Sequence, residues 1–457
     1  MNTSHQNNRV TLRPTLRPTR FSITWFAALM GALFAALIGN SIVSADTPAT
    51  LDPQPVAIIN ATVHPVSDAV IEGGTVLFAS GKIVAVGSDV SIPGDARVID
   101  ASGQHVYPGF IHGQSILGLS EISRTTESTD VQELGEINPM IRAQVAYHPA
   151  SEHLSVAAVH GITTVVPTPS GSLIAGMPAA MMTDGWTWEE MTIREKLGMV
   201  IEWPSTANRE RMERQLQQLD DALDKTRRYQ QARAAGDKDD AEQHPMDLRW
   251  EALLPVVRRE MPVFLSVGDL RQIQAAVAWA QRQQVRVVLV GNRHLDRVAE
   301  PLAEKQIPVM LTGVIGGPAH AWEGYDAGYT VAARLHAAGV SFCIAGDTGA
   351  ANAYRLAHHA AAAVAFGLPA EQGLKAITLD AARILGIDDV LGSLEPGKDA
   401  TLVISDGHPL EIRTKNQQVF LRGRSIDMTD KHRRLYERYL EKHRQHTAEP
   451  PPSDDHR

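Results

Sequence analysis

One cysteine, Cys343, is all that a chain of 457 residues carries. A disulfide framework is therefore excluded, and stability has to come from a large apolar core. On its apolar run this lone thiol reads as a core residue. Aromatic residues make up only 5% of the chain, so most are needed inside. Asp184-Gly185-Trp186-Thr187-Trp188 accordingly reads as a turn with two rings packed against the body. Basic excess is missing too: the formal net charge is −9, which speaks against nucleic acid as a partner. No Walker loop, Rossmann glycine run, Ser-His-Asp spacing or HExxH helix occurs, and those classes are set aside.

The first 45 residues stand apart from the rest. Arg9, Arg13, Arg17 and Arg20 precede an apolar run from about Ile23 to Ile38, and Val43-Ser44-Ala45 offers small residues before Asp46, the first acid of the chain. This is the pattern of a signal peptide over residues 1–45, cleaved on export to the periplasm or outside the cell. An uncleaved anchor is the competing reading. Removing four positive charges from −9 leaves a mature chain at −13. With hydrophobic residues at 44% and charged ones at 21%, the remainder is ordinary for a globular protein, with no membrane contact once the signal is gone.

Short β-rich runs and turn signals fill Val56 to Asp100, and a second such patch follows Leu394-Glu395-Pro396-Gly397-Lys398-Asp399. Between them apolar runs such as PVFLSV, VRVVLV, IPVML and VSFCIAG alternate with helical segments. That alternation predicts an α/β fold with a parallel sheet covered on both sides. Its length suits a (β/α)8 TIM barrel over 108–393, with a doubly wound sheet as the alternative. A small β-sandwich is expected from 46–107 joined to 394–425. A charged stretch at about 208–243, with Leu216, Leu219 and Leu223 on one face, predicts an inserted, solvated helical hairpin. Residues 426–457 read as a C-terminal helix and tail.

Three segments carry a family resemblance. They are AIINATVHPVSDAVIEGGTVLFASGKIVAVG, Pro108-Gly109-Phe110-Ile111, and the closing ITLDAARILGIDDVLGSLEPGKDATLVI. Over roughly residues 55 to 425 the chain resembles the amidohydrolase superfamily, near its imidazolonepropionase-like and dihydroorotase-like branches. The resemblance implies a barrel with a divalent metal, zinc or manganese, at its C-terminal mouth, where a metal-bound water attacks a C–N bond and an aspartate moves the proton. In a typical member the first strand ends Pro-Gly-Leu-Ile-Asp-Ala-His-x-His. Here Gln114 stands where the first imidazole is expected and Ile116 where the second is, while His112 takes the aspartate position.

Later strands depart from the pattern as well. Ser266 and Asn292 stand where strands five and six usually bring histidines, and no strand-four ligand is legible. Asp347, after the run Phe342-Cys343-Ile344-Ala345-Gly346, matches the family's strand-eight aspartate and is the expected catalytic group, with an N-cap at the following helix as its structural alternative. His358 and His359 on that helix read as solvated. His112 and Gln114 are the remaining metal candidates. Ser266, Asn292 and Arg124, in the loop after strand one, are the expected substrate contacts, and Thr168-Pro169-Ser170-Gly171-Ser172 with Gly176-Met177-Pro178-Ala179 form a second polar mouth loop.

These residues lead to a hydrolase acting on a cyclic or linear amide. The rival is a catalytically inactive barrel that binds a small ligand or partner subunit, because loss of most of a coordination shell normally abolishes metal affinity. A third reading makes the charged insert and C-terminal helix docking surfaces for a paralogous barrel. A homo-oligomer is also expected.

Overall fold

The computed structural model describes residues 47–122, 124–235 and 245–448. The expected export signal, Ser123, residues 236–244 and the end of the chain from Glu449 lie outside them. The described residues from Pro48 on belong to one compact unit.

Both ends of the described chain meet in one sheet. The N-terminal part supplies β1 (Val56–Val63), β2 (Ile71–Ala79), β3 (Lys82–Gly87), β4 (Arg97–Asp100) and β5 (His105–Pro108). The C-terminal part adds β16 (Leu402–Ser405), β17 (Asn416–Leu421) and β18 (Arg424–Ser425). The order is β18-β17-β16-β5-β1-β2-β3, with β4 beside β1. Alternation buries one face: Val56, Ile58, Val76, Phe78, Ile83, Leu402 and Phe420 form a single cluster, with Phe78 edge-on to Phe420 at 5.2 Å. Asn60 adopts φ 60° where the β1–β2 register shifts, the left-handed kink of a bulge.

The segment that the sequence marks as family-specific seals this sheet. Gly397 N–H donates to the Ile83 carbonyl and Ile83 N–H to that of Lys398. Asp399, only 5% exposed, accepts from Lys82 at 2.6 Å and Arg422 at 2.8 Å. A buried carboxylate held by two cations at the sheet edge explains why Lys398-Asp399 follows the turn.

A second set of strands begins with β6 (Phe110–Ser115) and β7 (Ile162–Pro167), which run parallel. Then come β8 (Ile174–Gly176), β9 (Ala180–Met182), β10 (Thr192–Arg194), β11 (Met199–Glu202), β12 (Val263–Ser266), β13 (Val287–Gly291), β14 (Val309–Thr312) and β15 (Phe342–Gly346). The strands β11 to β15 pair in order and in parallel. Between β7 and β11 the expected parallel alternation fails, because β9 pairs antiparallel with β7 and β8 antiparallel with β11. The stretch Gly176–Ala179, read from sequence as a mouth loop, is instead the buried kink between them. Pro178 donates no ladder bond there, and a Cβ on Gly176 (φ 125°) would lie 2.7 Å from the Ile141 carbonyl oxygen. Past β15, the Thr348 carbonyl accepts the Ile116 N–H at 2.8 Å.

Ile111, Val166, Val200, Phe264, Val288, Val290, Met310, Cys343 and Ala345 fill the space that these strands face. Helices cover them outside: α1 (Glu152–Val159), α2 (Arg209–Ala235), α3 (Leu248–Val257), α4 (Leu270–Gln283), α5 (Ala299–Glu304), α6 (Val331–Ala337), α7 (Leu356–Ala365), α8 (Ala370–Ala376) and α9 (Leu379–Leu385). A capping box of Asp269 and Gln272 starts α4, and its stripe Ile273, Ala276, Trp279 and Ala280 is buried. The charged insert is one 27-residue helix as far as Ala235, not a hairpin within that span. Its solvated character holds on one side only: Leu219 and Leu223 are fully buried. Trp186, expected to pack, is 61% exposed, whereas Trp188 packs against the core. The last helix, α10 (Lys431–Ala448), completes the described chain.

Candidate active site

Inward parity along the strands decides which side chains can meet. On β11 to β15 the buried inward residues Val200, Phe264, Val290, Met310 and Ala345 place Glu202, Ser266, Asn292, Thr312 and Asp347 two steps on, at the C-terminal ends on the same face. Glu202 pairs in register with Ser266. It is the strand-four residue that sequence reasoning missed, because the four-residue run Met199–Glu202 is too short and too close to Trp203-Pro204 to stand out. Its carboxylate accepts the Gly171 N–H at 2.7 Å, so it orders the loop Thr168–Ser172.

Gln114 and Ser266 come together, but in a narrow place. With Gly113, Thr168, Phe264 and Met310 they line a space of about 10 Å³, room for about one water. The Gln114 amide oxygen is buried there without a hydrogen-bond partner. At this point β6 is irregular: His112 pairs with Val165, yet Ser115 pairs with Pro167, so three residue steps face two and one residue bulges. Ile116 packs against the core.

His112 is fully buried, and neither ring nitrogen has a hydrogen-bond partner. Its Nε2 lies 3.1 Å from where a Cβ on Gly346 would be, which fits the glycine (φ 75°) at the end of β15. Burial pushes the ring pKa down to about 4, the nearby His359 adds to this, and Asp347 opposes it. The unfolded ring takes up its proton below about 6.5 and the folded ring only near 4, so between these values the unfolded chain holds more protons. Stability therefore falls as pH drops through this window, by about 3 kcal/mol from His112 alone. Urea denaturation at several pH values should show this slope in the wild type and a flatter one in His112→Leu; equal slopes would show that His112 is not its source.

Asp347 and Asn292 meet at a larger opening. Both line a cavity of about 250 Å³ with His294, Glu323 and the glycine-rich loop from Gly313. A Cβ on Gly313 would lie 3.7 Å from Asn292 Nδ2 and 4.0 Å from Asp347 Oδ1, so this glycine keeps the gap between them open. Asp347 does not cap the next helical turn, where Gly349 holds the N-cap position without a side-chain bond. Its Oδ2 instead lies 3.2 Å from His359 Nε2 and 3.5 Å from an Arg355 nitrogen.

His359 corrects the sequence reading, which left it on a solvated helix face. It is fully buried, and its Nδ1 accepts the Ile315 N–H at 3.1 Å. An acceptor at Nδ1 means that the proton of the neutral ring sits on Nε2, facing Asp347. Burial lowers its pKa, against the pull of Asp347. Helical periodicity on α7 cannot show that the loop after β14 covers this face; the partnering is long-range.

Some of the cavity's charges are paired, while Arg293 donates only to the Gly317 carbonyl, at 3.3 Å. Asp296 pairs with Arg334 at 2.7 Å, His294 Nε2 lies 2.8 Å from Glu323, and Arg297 sits over the Trp322 ring at 5.1 Å. The His294 contact holds the Glu323 carboxyl down to about 2. Arg124 is exposed on its loop and lines neither this cavity nor the narrow space by Gln114; its expected substrate contact is not what this arrangement offers.

Known proteins match the chain at several levels. The amidohydrolase family profile covers residues 285–430. Amidohydrolase tasK of Hapsidospora irregularis is 22% identical over 396 residues, covering 78% of this chain and 39% of that protein. The chain thus spans about two-fifths of the length of that relative. An amidohydrolase from Thermotoga maritima MSB8 superposes with a TM-score of 0.75 at 25% identity, covering 81% of this chain and 99% of that one. Residues 285–430 thus match the amidohydrolase family, and most of the chain is similar to amidohydrolases in sequence and fold. A prolidase solved with N-methylphosphonate-L-proline shares the fold at 16% identity and a TM-score of 0.51, over 82% of this chain and 100% of that one. These likenesses give the chain a TIM-barrel-like α/β fold.

The superfamily's divalent metal does not fit the residues present. Where its ligands would stand, Gln114, Ser266 and Asn292 offer neutral oxygens or an amide, and Phe264 and Met310 narrow the space beside Gln114 to about 10 Å³. Among the described residues no group of three or more His, Cys, Asp or Glu side chains could hold a metal ion. His112, the remaining candidate, is packed against Gly346.

Proposed function

We propose that this protein hydrolyses the carbon–nitrogen bond of a small cyclic or linear amide at the cavity beside Asp347, without a histidine-held metal. The observation that carries this is Asp347 on the cavity wall, flanked by Arg355 and His359 with Oδ1 facing the gap left by Gly313. Asp347 takes a proton from water as the water oxygen attacks the carbonyl carbon, the Asn292 amide donates toward the carbonyl oxygen as charge builds there, and Asp347 returns the proton to the leaving nitrogen as the C–N bond breaks. The cavity's volume limits the substrate to a small molecule.

A second reading is favoured by the strand ends themselves. Neutral side chains in place of ligands and a water-sized interior suit a catalytically inactive barrel that binds an amide or a partner subunit without turnover. A panel of cyclic and linear amides, assayed in the presence of a chelator, separates the two. Turnover that depends on Asp347 supports the hydrolase; binding without turnover of any amide supports the inactive barrel.

The composite sheet and the β6–β15 strands are best read as a sandwich-like domain and an eight-position barrel, with β8 and β9 together filling the third position. The Arg-led apolar run before Asp46 supports export to the periplasm or beyond, where a homo-oligomer or a paralogous barrel is the expected assembly.

A further inference from the structure

At the opposite end of the strands from Asp347, an open groove of about 730 Å³ is ringed by Arg259, Arg286, Lys305 and Arg383, and no carboxylate lines it. In a chain of net charge −9 with 52 acidic residues, four cations around one opening without a carboxylate are a local reversal of sign. Each follows or ends a helix: Arg259 comes after α3, Arg286 after α4, Lys305 caps α5, and Arg383 lies in the last turn of α9. Cations complement helix C-termini, which is their minimal role. Four helix ends at about half a negative unit each cancel only about two of the four positive charges. Asp380, 3.4 Å from Arg383, offsets part of the rest and leaves the groove positive.

Arg259, Gln284 and Gln306, all on the rim, adopt φ 62°, 57° and 52°. Glycine is the least strained residue at such helix-ending positions. Polar side chains stand at all three, each able to donate into the groove. Its floor, by contrast, includes Val287 and Ile307.

We propose that this groove binds a multivalent oxyanion of the phosphate class, remote from the cavity at Asp347. Arginine forks pair with phosphate oxygens two at a time, and two such forks with a lysine can hold two phosphoryl groups. Calorimetric titration of the full chain with inorganic pyrophosphate at low salt should show saturable binding near one equivalent. The affinity should fall tenfold or more in Arg259→Gln/Arg286→Gln, and also in Lys305→Gln/Arg383→Gln, while Asp347→Asn binds as the wild type does. Flotation with phosphatidic acid vesicles forms the second arm: capture by vesicles without pyrophosphate binding identifies the same chemistry on a lipid headgroup. All four exchanged residues are exposed, so unchanged circular dichroism is the check on folding. Failure of both probes to bind, or wild-type affinity in both double variants, overturns the proposal.

Discussion

Asparagine at position 347 lowers the turnover of any amide that this protein hydrolyses by about 10²- to 10⁴-fold, the usual contribution of a positioned general base. The exchange keeps the shape of the side chain and one oxygen, so contacts with Arg355 and His359 are weakened and not removed. What is lost is the capacity to take a proton from water. Thermal unfolding should shift little, because Asp347 is partly exposed and Gly349, not Asp347, sits at the N-cap. Steady-state kinetics on the wild type and the variant decide the matter: a fall in kcat with little change in KM fits the role, and activity within about tenfold of wild type removes Asp347 from the chemistry.

Replacing Trp279 by alanine costs about 3–5 kcal/mol of unfolding free energy. The ring is 1% exposed, edge-on to Trp203 at 5.6 Å, and its Nε1 donates to Asp220 Oδ1 at 2.8 Å. Asp220 lies on α2 and also accepts from Gln283 Nε2 at 2.7 Å. Trp279 thus fixes the long helix α2 to α4, and its removal opens a cavity as well as taking a donor from a half-buried carboxylate. Urea denaturation of Trp279→Ala and Trp279→Phe should show the phenylalanine variant losing less. A loss below about 1 kcal/mol in the alanine variant would mean that α2 is held mainly elsewhere.

These two residues illustrate what the sequence carries and what it does not. Trp279 is legible as part of an apolar stripe at helical spacing, as are the strands PVFLSV and VSFCIAG as buried runs; both signals are local. Asp347 was legible through its place after such a run. The antiparallel β8 and β9 were not, since Ser172 to Met182 mixes glycine and proline with apolar residues in no strand period. His359 and Glu202 escaped for the same kind of reason. The partners that give them meaning, the Ile315 N–H and the Gly171 N–H, are 44 and 31 residues away in sequence. Arg124 is a different case: a cation in a loop after a strand is a common pattern, and here it lines neither the cavity beside Asp347 nor the space by Gln114.

Among the described residues, the strand ends of this protein form no metal shell of the amidohydrolase kind. This is tested most directly by dialysing the purified protein with added zinc or manganese and measuring bound metal by mass spectrometry. Well below one equivalent in the wild type, with no further loss in Asp347→Ala, is the expected result. Near one equivalent of either metal, lost in Asp347→Ala, would contradict it and restore a metal-dependent mechanism.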